Sequence, residues 1–217
     1  MSDDIKKRLI KENIPFKAND SISDYLSEND RNTIRNNVHT AIEKLLDALV
    51  IDRQNDHNTN ETAKRVSKMY VDEVFKGRYY PMPKVTEFPN VKKLDELYTV
   101  GPITVRSFCS HHFVPILGKA FVGVIPNDKL IGLSKFNRII DWIMSRPQIQ
   151  EESVVQVADQ IEELIEPKAL AVVVNTTHMC MTLRGVKEEE CTMTTSVMRG
   201  LFETDTNARM EFLRFIK

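Results

Sequence analysis

Cys109, His111 and His112 lie within the run Phe108-Cys109-Ser110-His111-His112-Phe113, and His178 and Cys180 stand two apart in His178-Met179-Cys180-Met181. The chain has five histidines and three cysteines in all, so these two short stretches hold three of the former and two of the latter. Thiolate sulfur and imidazole nitrogen are the ligands that zinc favours, and one metal site drawing on both stretches is the economical reading. Cys109, His112 and Cys180 are assigned as three ligands. A fourth position left to water is the pattern of a catalytic zinc rather than a structural one. The spacing is not the paired Cys-x-x-Cys of a zinc ribbon. The competing reading makes Cys109 and Cys180 buried thiols and the histidines ordinary surface or core residues.

The elements around these residues decide whether they can meet. Residues 98–108 and 114–125 read as two strands joined through a turn at 109–113, with alternation in Thr104-Val105-Arg106 and from Ala120 to Val124. Cys109 and His112, three apart, share a face only if the chain turns there. Residues 170–176 form a strong strand that 179–183 continues, in which case His178 and Cys180 share a face and one can ligate while the other stands beside the metal. Between these strands, Ser134 is placed to cap a helix running through Phe136, Ile139, Ile140 and Ile143, with Lys135 and Arg138 in its first turn. Cations there oppose the helix dipole by about a few tenths of a kcal/mol. An anion bound at that terminus would give them a purpose. Beyond Pro147, Gln150 and Glu151 lead into a helix whose inward set is Val154, Val157, Ile161, Leu164 and Ile165. A charged loop at 187–190, a threonine-rich strand at 192–197 and a final helix complete the chain.

Before the strands, residues 1–27 are polar and read as a mobile arm or short helix. Residues 28–49 carry the stripe Ile34, Val38, Ala41, Ile42, Leu45, Leu46 and Leu49, a packing helix with His39 one residue off its face. Thr59 or Asn60 caps the next helix, whose stripe is Val66, Met69, Tyr70 and Val74, and Arg65 and Lys68 lie beside it, by default on a solvated face. Prolines break residues 80–90. Runs of strands separated by a helical pair predict an α+β fold, an antiparallel sheet with helices on one face, preceded by an N-terminal helical segment. The division expected is 1–95 for the arm and helices and 96–217 for the catalytic domain.

Composition narrows the classes. At 217 residues the chain can bury one sizeable core, and 41% hydrophobic with 28% charged is ordinary for a soluble protein. A net charge of −1 gives no general attraction to nucleic acid or an anionic membrane, so neither is expected as a partner. No run approaches the roughly 18 apolar residues of a membrane span, and the start Met1-Ser2-Asp3-Asp4 lacks the bases of a signal peptide, which predicts a cytoplasmic protein. Three cysteines argue against a disulfide scaffold, and seven glycines form no phosphate-cradling loop.

Four motifs in this order, Cys-x-His-His from Cys109, Gly-Leu-Ser-Lys from Gly132, Arg-Pro-Gln-x-Gln-Glu from Arg146 and His-x-Cys-x-x-x-Arg-Gly from His178, resemble GTP cyclohydrolase I from about Glu61 to Phe215. The resemblance implies the tunnelling fold, with sheets of several subunits joined into a barrel, a homo-oligomer that is a decamer with sites between subunits, and GTP as substrate. It implies zinc on Cys109, His112 and Cys180, and conversion of GTP to 7,8-dihydroneopterin triphosphate with release of formate. His178 would protonate N7, His111 would act as a second acid or base, and Glu151, assisted by Gln150, would read the guanine edge. Lys68, Lys135, Arg138 and Arg184, with Arg65 behind them, would hold the triphosphate, and Ser134 the ribose end. For Arg184 the plainer alternative is an ion pair with the glutamates at 188–190. Two positions depart from the family pattern: Ala63 replaces a usual Pro, and Ser110 replaces the usual Glu beside the histidine pair. Rival readings are another tunnelling-fold pterin or deazaguanine enzyme, and a nonenzymatic zinc-stabilised assembly subunit.

Overall fold

The structure is a computed structural model that describes residues 2–216. It divides into two compact units, Met1–Pro81 and Met82–Lys217. Among the described residues, no helix is long and apolar enough to cross a membrane.

The first unit is helical. Helix α1 (Ser2–Lys11) buries Ile5 and Leu9, one turn apart, against Ile22 and Leu26, so the polar N-terminal stretch holds a docked short helix. Helix α2 (Glu28–Ala48) starts at a capping box in which the Ser27 hydroxyl accepts from the Asp30 N–H and the Asp30 carboxylate accepts from the Ser27 N–H. Helix α3 (Thr62–Lys68) runs on into a π-helical turn over Met69–Val74, followed by α4 (Lys76–Tyr79). The expected cap does not form. The Thr59 hydroxyl instead donates to Asp56 at 2.9 Å, and Glu61 occupies the cap position, its carboxylate accepting from Lys64 at 3.0 Å rather than capping the helix. The buried line is also shifted from the expected one: Ala63, Ser67, Val71 and Phe75 face inward, four residues apart, while Met69 and Tyr70 are only half-buried.

The second unit begins with β1 (Glu87–Pro89), and continues with β2 (Tyr98–Cys109), β3 (Pro115–Ile125) and β4 (Lys129–Ile131). Next come α5 (Leu133–Met144), β5 (Pro147–Gln148), α6 (Gln150–Ile165) and β6 (Ala169–His178). The chain ends with α7 (Met179–Thr182), β7 (Met193–Gly200), α8 (Leu201–Thr204) and α9 (Thr206–Phe215). Residues 82–95 belong to this unit, because β1 pairs with β4. The main sheet has the order β5-β2-β3-β6-β7. Its long strands are antiparallel as expected, but β5 joins β2 in parallel through Phe108 with Pro147 and Cys109 with Gln148, so the sheet is mixed.

Helices cover both faces rather than one. Ile103, Val105, Ala120, Val122, Val124, Leu170, Val172 and Val174 point to one face, where Phe136, Ile139, Ile140 and Ile143 of α5 and Val154, Val157, Ala158, Ile161 and Ile165 of α6 close the larger core. Ala169, Ala171 and Val173 point the other way and pack on Phe202 of α8 and Phe212 of α9. Gly123 makes this possible, since a Cβ there would overlap the Phe212 ring. Away from these phenylalanines the same face is polar and exposed, with Arg106, Lys119, Asn175 and Thr194 along it.

Candidate metal and nucleotide site

Cys109 ends β2 at the point where the chain reverses. Its N–H donates to the Val114 carbonyl at 2.9 Å and its carbonyl accepts from the Phe113 N–H at 2.8 Å, while Phe113 takes φ 52°, the left-handed region. On the other side, the Ser110 N–H donates to the Gln148 carbonyl of β5 at 3.0 Å. The reversal brings both histidines back to the thiol, with Cys109 Sγ 3.7 Å from His111 Nδ1 and 4.0 Å from His112 Nδ1.

Cys180 reaches the same place by a different route from the one expected. Strand β6 stops at His178, and Met179–Thr182 forms a helical turn closed by the Leu183 N–H on the Met179 carbonyl at 3.0 Å. Strand alternation therefore does not extend to Cys180, and it is the turn that swings its thiol toward Cys109. One donor atom from each of Cys109, His112 and Cys180 lies within 4.8 Å of the others. A tetrahedral zinc with bonds near 2.3 Å to sulfur and 2.0 Å to nitrogen spaces its donors by roughly 3.5–3.8 Å, so the trio needs only a small contraction to close on an ion. Burial and the adjacent Cys109 thiol push the Cys180 thiol above its ordinary range. A cation between the two sulfurs would reverse that tendency.

His178 is half-buried beside the trio, and burial lowers its pKa while the charge of Glu151 partly opposes this. Its Nε2 lies 2.9 Å from Oε1 of Gln150, which is 3% exposed at the start of α6. Glu151, the next residue, is exposed in the first turn of α6, where the helix dipole favours a carboxylate. Gln150 itself is fully engaged inside the fold, so it stands behind His178 rather than beside Glu151 on an open edge.

Arg184 is drawn in as well. Its Nη1 lies 3.1 Å from His112 Nε2, so the histidine, and not the glutamates at 188–190, is its partner. Ser134 does not cap α5. The helix starts two residues earlier than such a cap would set it, with Gly132 at the cap position, leaving Ser134 and Arg138 exposed in its first two turns and Lys135 donating to the Lys84 carbonyl at 3.1 Å. The hydrogen bond of Lys135 thus leads to the backbone before β1 and not to the Cys109 cluster. Lys68 and Arg65 are exposed on α3 of the first unit, where Lys68 shares a cavity of about 370 Å³ with Arg35, Asn36, His39, Lys64 and Asp72.

Thr176 and Thr195, which donate to and accept from the Gln150 amide, escaped the sequence reading. The available signal was a glutamine opening an otherwise apolar helix face, facing threonines in two strands.

A sequence model of the family GTP cyclohydrolase I matches residues 38–217. The chain is 40% identical to a GTP cyclohydrolase 1 of Pectobacterium carotovorum subsp. carotovorum over 189 residues, 87% of this chain and 86% of that protein. It is likewise 40% identical to one of Serratia proteamaculans over 189 residues, 87% and 85% of the two chains, and 39% identical to one of Citrobacter koseri over 191 residues, 88% and 86%. A match over most of the length, with the Cys-His-Cys trio assembled from two distant segments, places the chain in the GTP cyclohydrolase I family.

Proposed function

We propose that the protein is a zinc-dependent GTP cyclohydrolase that opens the guanine ring at C8, releases formate and forms 7,8-dihydroneopterin triphosphate. The observation that carries this reading is the convergence of Cys109, His112 and Cys180 within 4.8 Å in a chain of that family. Two thiolates and an imidazole suit zinc. Bound there, zinc would supply Lewis-acid activation of water at neutral pH. Both thiols must stay reduced for this, which fits the cytoplasm.

The chain's own groups do the rest. Glu151, exposed and near enough to His178 for its charge to be felt there, accepts from N1–H and the 2-amino group of guanine, a pair that adenine cannot offer. His178 moves a proton at the imidazole portion of the base, and His111, 3.7 Å from Cys109 Sγ, serves as a second acid or base. Lys135, Arg138 and Arg184 bind the triphosphate, with Lys68 and Arg65 assigned to the same task and Ser134 to the ribose end. The exposed polar sheet face and the two-residue edge strand suit the assembly of several subunits into a barrel, with a decamer as the expected state. Incubation with GTP, following formate and a pterin-like chromophore, tests the reading. Zinc-loaded protein that releases no formate from GTP would overturn it.

A further inference from the structure

The amide of Gln150 sits in a closed polar cluster inside the second unit. Its Nε2 lies 3.1 Å from the Val174 carbonyl, 3.1 Å from the Met193 carbonyl and 3.0 Å from Thr195 Oγ1. Its Oε1 lies 2.5 Å from Thr176 Oγ1 and 2.9 Å from His178 Nε2. Which end of a glutamine amide is nitrogen is set by its partners, and here they leave one solution. Two backbone carbonyls can only accept, so the group facing them is the NH₂. Turning the amide over would set its oxygen against both carbonyls, replacing two hydrogen bonds by contacts between acceptors. With the oxygen fixed, the two groups at its lone pairs must both donate. Thr176 donates its hydroxyl hydrogen, and the imidazole can donate only if Nε2 carries hydrogen.

We infer that Gln150 is a positioning residue that holds His178 in the tautomer protonated on Nε2, so that Nδ1 is the atom that exchanges a proton with the substrate. The inference rests on the reading above in taking His178 as a proton-transfer group, and deepens it by naming the atom. It also gives Gln150 a role apart from guanine recognition. The fixed amide ties β6, through Thr176 and Val174, to β7, through Met193 and Thr195, and to the first turn of α6. The orientation of the His178 ring is thereby set by three elements at once. A histidine held this way presents a bare Nδ1 when neutral, and any proton it delivers to the base leaves from that nitrogen.

Two measurements on the zinc-loaded full chain test this. In the first, magic-angle-spinning NMR of protein carrying ¹⁵N,¹³C-histidine reads the ring nitrogens of the five histidines, with His178 assigned by the signal lost in His178→Asn. Hydrogen on Nε2 is expected. A bare Nε2 with hydrogen on Nδ1 overturns the inference, whatever the activity. In the second, formate release from GTP is followed for Gln150→Leu, His178→Asn and the double variant. Gln150→Leu is expected to lower kcat by about tenfold or more, with KM within about twofold, and to add no further loss in the His178→Asn background. Gln150→Glu, whose carboxyl oxygen can still accept from Nε2, should recover part of kcat. Losses that multiply in the double variant, or a raised KM at unchanged kcat, overturn the inference. A wild-type rate in His178→Asn would instead sink the assignment of proton transfer to His178, and the NMR result would still decide the tautomer. Should Gln150→Leu fail to fold, the wild-type spectrum alone decides.

Discussion

Arg184 Nη1 lies 3.1 Å from His112 Nε2, and the contact is incompatible with metal on that histidine. A guanidinium only donates, so Nε2 must offer its lone pair. If a metal takes Nε2, the arginine is displaced directly. If it takes Nδ1, which faces Cys109 Sγ at 4.0 Å, a neutral ring then carries its hydrogen on Nε2 and can no longer accept from Arg184. Metal loading therefore frees the arginine, the same side chain assigned to the triphosphate. Replacing Arg184 by Met removes a competitor and a positive charge together. Zinc affinity should rise by about two- to fivefold, the scale of one exposed charged contact. Competition with a chromophoric chelator measures it, and an unchanged affinity would show that the contact does not oppose metal.

The metal set itself is tested by Cys180→Ser. Purified protein should carry about one zinc per chain, and the variant should lose it, because a hydroxyl at neutral pH is a far poorer ligand than a thiolate. Elemental analysis of both proteins gives the answer. Full GTP turnover after exhaustive chelation, with zinc shown to be removed, would defeat the assignment.

Nucleotide choice should rest on Glu151. Glu151→Gln keeps one acceptor and loses the second along with the charge, so kcat/KM for GTP should fall by about 1.5–3 kcal/mol, the range for hydrogen bonds to charged groups. ATP used as well as GTP by the wild type would remove guanine recognition from this residue.

Residue types singled out Cys109, His112 and Cys180, which the fold brings within 4.8 Å of one another as a candidate metal set. Strands β2 and β3 were equally legible from alternation. What failed did so for local reasons. Met179–Thr182 is apolar enough to extend a strand, and only the backbone turn reveals why Cys180 reaches Cys109. Ser134 has the chemistry of a cap, yet Gly132 takes the extended cap conformation and the helix starts before it. The second helical layer was also hidden, although 169–174 is buried without interruption and β3 carries Phe121 and Ile125 on the opposite parity from Val122 and Val124. A strand apolar on both parities is covered on both faces. The partners of Gln150 lie 24 to 45 residues away, beyond any local pattern.

Phe212 measures that second layer. It is fully buried against Ala169, Ala171, Val173 and Phe202, over Gly123. Phe212→Ala should destabilise the second unit by about 3–5 kcal/mol, read from the shift of its denaturant transition. A loss below about 1 kcal/mol would mean that α9 contributes little to this face.

In the first unit, Asp72 accepts two bonds from Arg35, at 2.9 Å from Nε and 2.7 Å from Nη2, and one from the Tyr80 hydroxyl at 2.8 Å. Burial would raise its pKa, but the hydrogen bonds from Arg35 and Tyr80 and the charge of Arg35 outweigh it and hold the carboxyl below its ordinary range. A carboxyl depressed in the folded state stabilises that state at pH above its unfolded pKa, near 3.9, and the contribution fades as pH falls through the lower folded value. Asp72→Asn should therefore be less stable than wild type at pH 7, with the gap closing as the pH is taken below about 4. Urea unfolding of both proteins at pH 7 and at successively lower pH measures the gap. A difference that stays constant down to full protonation would assign the loss to packing or bond geometry rather than to the ionised Asp72 and its two donors.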